Sequence, residues 1–162
     1  MEDKRIKALA MDVDGTLTDG GIYIGTDGEM MKRFHVKDGY AIHDLLPAMG
    51  IIPIIITGRT SEIVKRRCAE LGITRLVQGS TDKIGDLKKI LARERIDMTE
   101  TAYMGDDMND YDCMRQVGLK GCPSDAADSI KKIADYITIS SGGNGAVREF
   151  VEWIGKKRNT IQ

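Results

Sequence analysis

The sequence is poor in proline, aromatic residues and long hydrophobic runs, and it carries almost no net charge. Its 162 residues include three prolines and 5% aromatic residues, and 24 basic against 25 acidic side chains leave a formal charge of −1. A balanced charge without a basic stripe argues against a nucleic-acid-binding protein. No apolar run approaches the roughly 20 residues that a membrane-spanning helix needs. We expect a single globular domain over residues 1–162.

Cysteine is also scarce, and its placement excludes a disulfide framework or a cysteine metal site. Cys68, Cys113 and Cys122 share no metal-ligand or redox spacing, and each has apolar neighbours. An odd number of widely spaced cysteines is typical of reduced, buried thiols. The first residues turn acidic after a short apolar stretch, unlike a secretory signal. We therefore expect a cytoplasmic protein without a membrane segment.

Short apolar runs alternate with helical patterns along the whole chain. Residues 51–56 are apolar on both faces, as in a parallel strand covered by helices on both sides, and residues 6–13 form a similar run. Residues 19–36 instead predict a hairpin, because alternating apolar residues flank a turn. Further strands are predicted near 74–78, 101–105, 119–121 and 135–139, with helices over 39–49, 83–95, 108–117, 125–133 and 146–157 and another between Ser61 and Gly72.

This alternation predicts an α/β fold: a doubly wound, mostly parallel sheet with a β-hairpin inserted after strand 1 and no cap domain. Ligands of such sheets bind beyond the carboxyl ends of the strands. Polar and ionisable residues follow four of the predicted strands and should therefore share one site. They are Asp12 and Asp14, residues 57–59 (TGR), Lys83, and Asp106, Asp107 and Asp110.

The acidic residues of this set point to phosphoryl transfer assisted by Mg²⁺. Asp12 and Asp14 lie two apart in an extended segment, so their side chains face the same way. Several carboxylates in one crevice repel each other unless they are protonated or bind a cation, and oxygen-only ligands favour Mg²⁺. One carboxylate could attack phosphorus while a second acts as acid and base. Thr57, the Gly58 amide and Lys83 are suited to hold phosphate oxygens.

Four segments resemble, in chain order, the motifs of the haloacid dehalogenase-like phosphatases. They are residues 12–18 (DVDGTLT), 57–59 (TGR), Lys83 and 105–110 (GDDMND). The resemblance covers nearly the whole chain. It implies that Asp12 is the nucleophile and Asp14 the general acid and base. Mg²⁺ would be held by the Asp12 side chain, the Asp14 carbonyl and Asp106. Thr57, Gly58 and Lys83 would bind phosphate. Asp110 would orient Lys83, and Asp107 would support these residues without touching substrate.

Three further segments resemble the 3-deoxy-D-manno-octulosonate 8-phosphate (KDO 8-P) phosphatases within that family. They are residues 34–39 (FHVKDG), 78–83 (QGSTDK) and 142–149 (GGNGAVRE). The resemblance implies a phosphomonoesterase of lipopolysaccharide biosynthesis that acts on a sugar acid phosphate. Those proteins are homotetramers whose hairpins pack together and whose neighbouring subunit roofs the active site. The glycine-rich loop 141–145, before the last helix, would close over substrate.

Two arginines bear on the substrate. Arg59 stands where the octulosonate enzymes also have arginine, whereas relatives that act on nine-carbon 2-keto acids tend to have glutamate. Its planar guanidinium suits a carboxylate or hydroxyl groups. Arg67 aligns with a family position that reaches the sugar acid across the subunit interface, although it can also be read as a solvated member of the basic run 65–67.

Other functions remain open from the sequence. The same chemistry could act on a nine-carbon sugar acid 9-phosphate, that of 2-keto-3-deoxynononate (KDN) or N-acetylneuraminate. A phospho-accepting receiver domain also combines a doubly wound sheet with acidic residues, threonine and lysine, but its metal-binding acids usually lie side by side. A catalytically inactive regulatory subunit is a third alternative, which the intact set of acids disfavours.

Overall fold

The computed structural model describes residues 5–158. Its strands are β1 (Ala8–Met11), β2 (Tyr23–Gly25), β3 (Gly28–Met31), β4 (Ile52–Ile56), β5 (Arg75–Val77), β6 (Thr101–Met104), β7 (Leu119–Cys122) and β8 (Tyr136–Ile137). Its α-helices are α1 (Val36–Tyr40), α2 (Leu46–Ala48), α3 (Glu62–Glu70), α4 (Lys83–Glu94), α5 (Tyr111–Gln116), α6 (Asp128–Lys131) and α7 (Ala146–Lys157). Among the helices within this range, none is both long and apolar enough to cross a membrane.

The main sheet has six parallel strands in the order β5-β4-β1-β6-β7-β8. The central strand β1 pairs with β4 on one side, with Ala8 opposite Ile52, and with β6 on the other, with Ala8 opposite Thr101. The chain thus winds away from β1 in both directions. A crevice forms at such a switch point, beyond the carboxyl ends of the strands. The predicted doubly wound α/β fold is confirmed.

Helices cover both faces of this sheet, so its strands are apolar throughout. Leu9 and Met11 of β1 pack with α3, α7 and the helical segment 36–48, whereas Ala8 and Ala10 face α4, α5 and α6. All four side chains are fully buried. Burying apolar surface on both faces is the main stabilisation of this layered architecture. It also holds the strand ends that carry the polar residues in fixed positions.

The predicted hairpin lies outside the main sheet. Strands β2 and β3 pair antiparallel as a separate two-stranded sheet joined by a turn at Thr26 and Asp27, after which Gly28 opens β3 with a φ of +111°. The insertion after β1 is therefore a hairpin, as predicted, but its paired strands lie within residues 23–31 and not over the whole of residues 19–36. Its apolar side chains are mostly exposed, and they are Ile22, Tyr23, Ile24, Met30 and Met31.

The helix predicted over 39–49 begins earlier and is irregular. It starts at Val36, because the His35 ring accepts a hydrogen bond from the Lys37 backbone N–H and so caps α1. A π-helical turn, Ala41–Leu45, separates α1 from α2. Pro47, two residues after this turn, has no backbone N–H and so cannot donate an α-helical hydrogen bond.

Three predicted elements in the second half are shorter than expected. The helix of residues 108–117 opens with a 3₁₀ turn, Met108–Asp110, and α6 is limited to Asp128–Lys131. The strand predicted over 135–139 ends at Ile137. The Glu149 carboxylate accepts the backbone N–H groups of Ile139 and Ser140, so these donors are lost to the sheet.

The three cysteines have free, buried thiols, as the sequence predicts. Burial raises the pKa of the Cys113 thiol to about 12 and those of Cys68 and Cys122 to about 11. Thiols with such pKa values stay protonated at neutral pH and are poor nucleophiles. They serve as small apolar core residues.

Candidate active site

A cleft of about 280 Å³ opens at the carboxyl ends of β1, β4 and β6. It is the place where the sequence predicted a shared site. The residues that line it are Asp12, Asp14, Thr57, Gly58, Arg59, Asp106, Asp107, Met108 and Asn109. The structure therefore brings together side chains from the segments that follow β1, β4 and β6. Lys83, at the start of α4, contacts Asp12 of this set.

Asp12 and Lys83 form a buried ion pair at the cleft. Asp12 follows β1 and is 4% exposed, and Lys83 is 6% exposed. The Lys83 Nζ lies 3.1 Å from the Asp12 Oδ1 and 2.8 Å from the Asp110 Oδ1. Burial disfavours the charged ammonium, but the carboxylates of Asp110 and Asp12 outweigh it and raise the pKa of Lys83. Lys83 therefore supplies a permanent positive charge beside Asp12.

Asp110 has no lone pair left for a ligand. Its Oδ1 accepts from the Lys83 ammonium and, at 2.7 Å, from the Tyr103 hydroxyl. Its Oδ2 accepts from the backbone N–H of Asp106 at 3.1 Å and of Asp107 at 3.4 Å. Four donors fill the acceptor sites of one carboxylate. Asp110 thus holds Lys83 in place, which is the contact that the family resemblance implies.

Asp12 and Asp106 are the acids that remain available to a cation. Oxygen atoms of Asp12, Asp106 and Asp110 all lie within 4.8 Å of one another. Burial, reinforced by the negative charges of Asp12 and Asp110, raises the pKa of Asp106 to about 8. Burial and Asp110 raise the pKa of Asp12 to about 6, against the opposing effect of Lys83. The pair thus favours an added positive charge, and its oxygen-only donors fit Mg²⁺.

Gly15 is required for Asp106 to approach the segment after β1. Its φ of +91° lies in the left-handed region, and a Cβ at this position would overlap the Asp106 carboxylate. The Thr16 hydroxyl also donates to the Asp106 Oδ1, at 3.1 Å. The glycine after the two aspartates therefore serves close packing between the loops after β1 and β6.

The glycine-rich loop 141–145 packs against this same segment of its own chain. The Gly143 N–H donates to the Thr16 carbonyl at 3.2 Å. A Cβ on Gly142 would overlap the Gly15 carbonyl oxygen, so no larger residue fits. The Arg33 guanidinium donates to the Gly143 carbonyl at 3.0 Å. In this structure the loop supports the residues that follow Asp14.

Asp14 has a partner that the sequence did not indicate. The Lys32 Nζ lies 2.5 Å from the Asp14 Oδ1 and 3.4 Å from the Glu29 Oε2. The Lys32 side chain is 2% exposed, against 19% for Asp14. The two residues are 18 positions apart and meet only because the hairpin folds back. No local spacing pattern could have identified Lys32.

The segment after β4 contributes the residues expected to contact substrate. Thr57 is buried, and its carbonyl accepts the Ser80 N–H at 3.1 Å, which fixes the loop. Gly58 lines the cleft beside it. The Arg59 side chain is 48% exposed at the rim, with its Nη2 4.0 Å from the Glu29 Oε2. Arg59 is therefore free to turn toward a ligand.

The structure places Arg67 outside the cleft and Asp107 within it. Arg67 does not line the cleft of its own chain; its guanidinium lies 5.7 Å from the Phe34 ring centroid and donates to Glu70 at 3.2 Å. Asp107 lines the cleft, but its carboxylate accepts the Met108 N–H at 2.7 Å and caps the 3₁₀ turn. A role for Arg67 at a neighbouring subunit's site stays a prediction.

Sequence reasoning also missed Tyr103. The residue is fully buried in β6, where a tyrosine reads as an apolar strand residue. Its hydroxyl is nonetheless one of the four donors to Asp110. The only available signal was a polar tip within an otherwise apolar strand, since a buried tyrosine hydroxyl needs a partner.

Comparison with known proteins identifies related sequences. Residues 69–150 match the profile of the haloacid dehalogenase-like hydrolase family. The chain is 44% identical to the 3-deoxy-D-manno-octulosonate 8-phosphate phosphatase KdsC of Escherichia coli over 146 residues, which are 90% of this chain and 77% of the relative.

Solved structures share the fold at similar identity. The 3-deoxy-D-manno-octulosonate 8-phosphate phosphatase of Yersinia pestis matches with a TM-score of 0.93 and 40% identity over 98% of this chain and 85% of that chain. The enzyme of the same description from Moraxella catarrhalis matches with a TM-score of 0.91 and 42% identity over 97% and 90%. The Moraxella structure is a complex with a magnesium ion, a phosphate ion and KDO.

Proposed function

The chain belongs to the haloacid dehalogenase-like hydrolases, and from that premise we propose that it is a Mg²⁺-dependent phosphatase of 3-deoxy-D-manno-octulosonate 8-phosphate. The observation that carries the proposal is the group formed by the buried Asp12 and Lys83 with the half-buried Asp106 at the carboxyl ends of the strands. Two neighbouring carboxylates beside a fixed ammonium form a site for a phosphate ester and its metal ion. The relatives' names supply the substrate.

The first chemical step would transfer the phosphoryl group to Asp12. One carboxylate oxygen of Asp12 attacks phosphorus, and the bond between phosphorus and the sugar oxygen breaks. Asp14, in its protonated form, gives its proton to the leaving sugar oxygen. The products of this step are the free sugar acid, an aspartyl-phosphate on Asp12 and ionised Asp14. Thr57, the Gly58 amide and Lys83 donate to the phosphate oxygens throughout.

The second step would release inorganic phosphate. Asp14, now ionised, takes a proton from water, and the resulting hydroxide attacks phosphorus. The acyl phosphate bond breaks, which restores the Asp12 carboxylate and leaves Asp14 protonated for the next cycle. The two aspartates lie two positions apart, so one short segment supplies both the nucleophile and the proton carrier.

The residues that would hold Mg²⁺ are the Asp12 side chain, the Asp14 main-chain carbonyl and the Asp106 side chain. When bound, the ion neutralises charge on the phosphate oxygens and between the two carboxylates. Asp110 is not part of this set, because its oxygens are already filled by four donors. Its part is to hold Lys83 toward Asp12.

Arg59 favours an eight-carbon substrate in this proposal, because relatives that act on nine-carbon 2-keto acids tend to have glutamate at this position. The guanidinium stands at the rim of the cleft, where the sugar acid would extend from a phosphate bound near Asp12. A planar cation there suits the substrate carboxylate.

A side-by-side steady-state assay with Mg²⁺ tests the function. The substrates are the 8-phosphate of 3-deoxy-D-manno-octulosonate, the 9-phosphates of KDN and N-acetylneuraminate, and p-nitrophenyl phosphate. The highest kcat/KM is expected for the eight-carbon ester. A preference for a nine-carbon ester would replace the substrate assignment. A single long-lived phosphoryl group per chain, without turnover, would indicate a receiver domain instead.

The same proposal includes assembly into a homotetramer. The hairpin exposes five large apolar side chains next to a groove formed with α3. Contiguous apolar surface of this kind marks a protein contact surface. In a tetramer the hairpins would pack together, a neighbour would roof the cleft in place of a cap domain, and Arg67 would reach the neighbour's substrate.

A further inference from the structure

We propose that Lys32, on the hairpin, is a positioning residue that holds the Asp14 carboxylate for proton transfer. This inference rests on the proposed function, in which Asp14 is the general acid and base. It assigns the hairpin a role in the chemistry of its own chain, separate from any role in assembly. The observation behind it is the contact between the Lys32 ammonium and the Asp14 Oδ1, at 2.5 Å.

The burial of Lys32 is unusual for its place in the fold. The side chain is 2% exposed, although Met30 and Met31 beside it in β3 are more than half exposed. Removing an ammonium group from water is costly unless paired anions and hydrogen bonds replace the water. The hairpin therefore turns the Lys32 side chain inward, onto Asp14. Because so little of it reaches solvent, Lys32 is placed to act on Asp14 and not directly on substrate.

Glu29 fixes Lys32 from the other side. One carboxylate oxygen of Glu29 lies 3.4 Å from the Lys32 Nζ, and the other accepts a hydrogen bond from the Ser61 hydroxyl. Ser61 in turn caps α3, whose Val64 N–H it accepts at 3.3 Å. The hydrogen bond from Ser61 and the charge of Lys32 outweigh partial burial and lower the pKa of Glu29. Glu29 and Ser61 thus connect the Lys32 ammonium to the start of helix α3.

This arrangement leaves one oxygen of Asp14 for the reaction. Lys32 binds Oδ1, so the carboxylate cannot rotate freely, and Oδ2 remains to exchange a proton with the sugar oxygen or water. Proton transfer depends steeply on the position of the acid or base. Without Lys32, Asp14 would keep its chemistry but sample many orientations. The loss should fall on kcat and not on substrate binding.

The choice of leaving group separates positioning of Asp14 from phosphate binding. A sugar alkoxide needs a proton to leave, whereas p-nitrophenolate leaves without one. We would compare Lys32→Met with the unsubstituted protein in the full chain with Mg²⁺. For the sugar acid phosphate, kcat should fall about 10- to 100-fold with KM changed less than about threefold. The first-turnover release of p-nitrophenolate, measured with enzyme in excess, should be unchanged.

Two further variants bracket the result. Lys32→Arg keeps a cation beside Asp14 and should recover most of the lost kcat. Lys89→Met removes a lysine that is 74% exposed on α4 and should leave the kinetics with both substrates unchanged.

If Lys32→Met does not fold, as judged by circular dichroism, Glu29→Gln decides the question. That variant frees the Lys32 anchor without touching Asp14 and should lower kcat on the sugar acid phosphate about three- to tenfold.

Several outcomes would overturn the inference. Normal kcat for a folded Lys32→Met, or for Glu29→Gln in its place, would show that Asp14 needs no positioning. An equal loss on the sugar acid phosphate and on first-turnover p-nitrophenolate release would place Lys32 at the phosphate. An unsubstituted protein that released no phosphate from any ester would instead remove the proposed function and this inference with it.

Discussion

Two aspartates that follow one strand have different neighbours at the scale of single residues. Asp12 is buried beside the Lys83 ammonium and the acidic Asp106, which suits a nucleophile that shares its charge with a cation. Asp14 is partly exposed and contacts Lys32, which suits a group that exchanges protons with substrate and water. These different surroundings are the basis on which the proposed mechanism assigns separate roles to two carboxylates of the same type.

Asp12→Asn should abolish turnover while the protein stays folded. The amide keeps the shape of the side chain but is not a nucleophile, so kcat should fall by about 10³-fold or more. Thermal stability should change little, because removing the repulsion with Asp106 offsets the loss of the ion pair with Lys83, which keeps Asp110 as a partner. Phosphate release and thermal unfolding are the measurements. Activity near that of the unsubstituted protein would contradict the role of Asp12.

Arg59→Ala should mainly weaken binding of the sugar acid. KM for the octulosonate phosphate should rise about tenfold, as expected for one lost charge-assisted contact, with little change for p-nitrophenyl phosphate. Arg93→Ala, an exposed arginine on α4, is the matched control. Steady-state kinetics on both esters provide the comparison. Equal losses on the two substrates would place Arg59 at the phosphate and not at the sugar acid.

At the scale of elements, helix α4 carries the lysine of the site on its first turn. Asp82 caps this helix by accepting the Gly85 N–H at 3.0 Å, and Lys83 follows at the first helical position. The cap therefore sets where the ammonium stands relative to β1. The loops after β1 and β6 meet it from the sheet, and Asp110 joins the three elements.

Removal of this cap should lower the stability of the protein. Asp82→Ala should lower the free energy of unfolding by about 1 kcal/mol, the usual value of a helix N-cap. Lys88→Ala, an exposed residue of the same helix, should change it by less than about 0.5 kcal/mol. Denaturant unfolding measures both. A cap variant as stable as the control would show that α4 starts without help from Asp82.

The acids at the ends of β1 and β6 should make the metal-free protein sensitive to pH. Burial raises the pKa of Asp12 to about 6 and that of Asp106 to about 8, so the folded state binds more protons than the unfolded state. Their contribution to stability is therefore greatest at low pH and is lost as pH rises through these values. Mg²⁺ should raise the melting temperature most above about pH 8.

Thermal unfolding with a chelator, repeated with added Mg²⁺ across this pH range, tests the point. Asp106→Asn is the matched variant, because it removes one of the two acids without changing the shape of the side chain. Its melting temperature should vary less with pH and respond less to Mg²⁺. An identical pH profile in the variant would mean that the pair does not control stability.

At the scale of the whole molecule, the exposed hairpin sets the expected assembly. Ile24→Asp should disrupt a tetramer, because it places a charge in the apolar surface, and light scattering should then report a smaller species. Ile139→Asp, an isoleucine that is 91% exposed outside the hairpin, should leave the mass unchanged. A tetramer that survives Ile24→Asp, or a single chain in the unsubstituted protein, would refute hairpin-mediated assembly.

The order of strands and helices could be predicted from the sequence because each element carries its own periodicity. The isoleucine-rich strand β4 and helix α7 show this directly. The strand predicted over 135–139 was too long, because the Glu149 carboxylate ten residues away takes the Ile139 N–H. Element ends fail in prediction where a distant side chain competes for backbone hydrogen bonds.

The sequence alone determined which strands end in acids, threonine and lysine, since these are local patterns read at strand ends. Only the tertiary structure decided which groups each of the acids contacts. Asp110 is filled by donors from Lys83, Tyr103 and two backbone groups, and Asp14 meets Lys32 through the hairpin. These contacts join residues up to 27 positions apart. Side-chain pairing at such separations depends on how the elements pack, which no local pattern encodes.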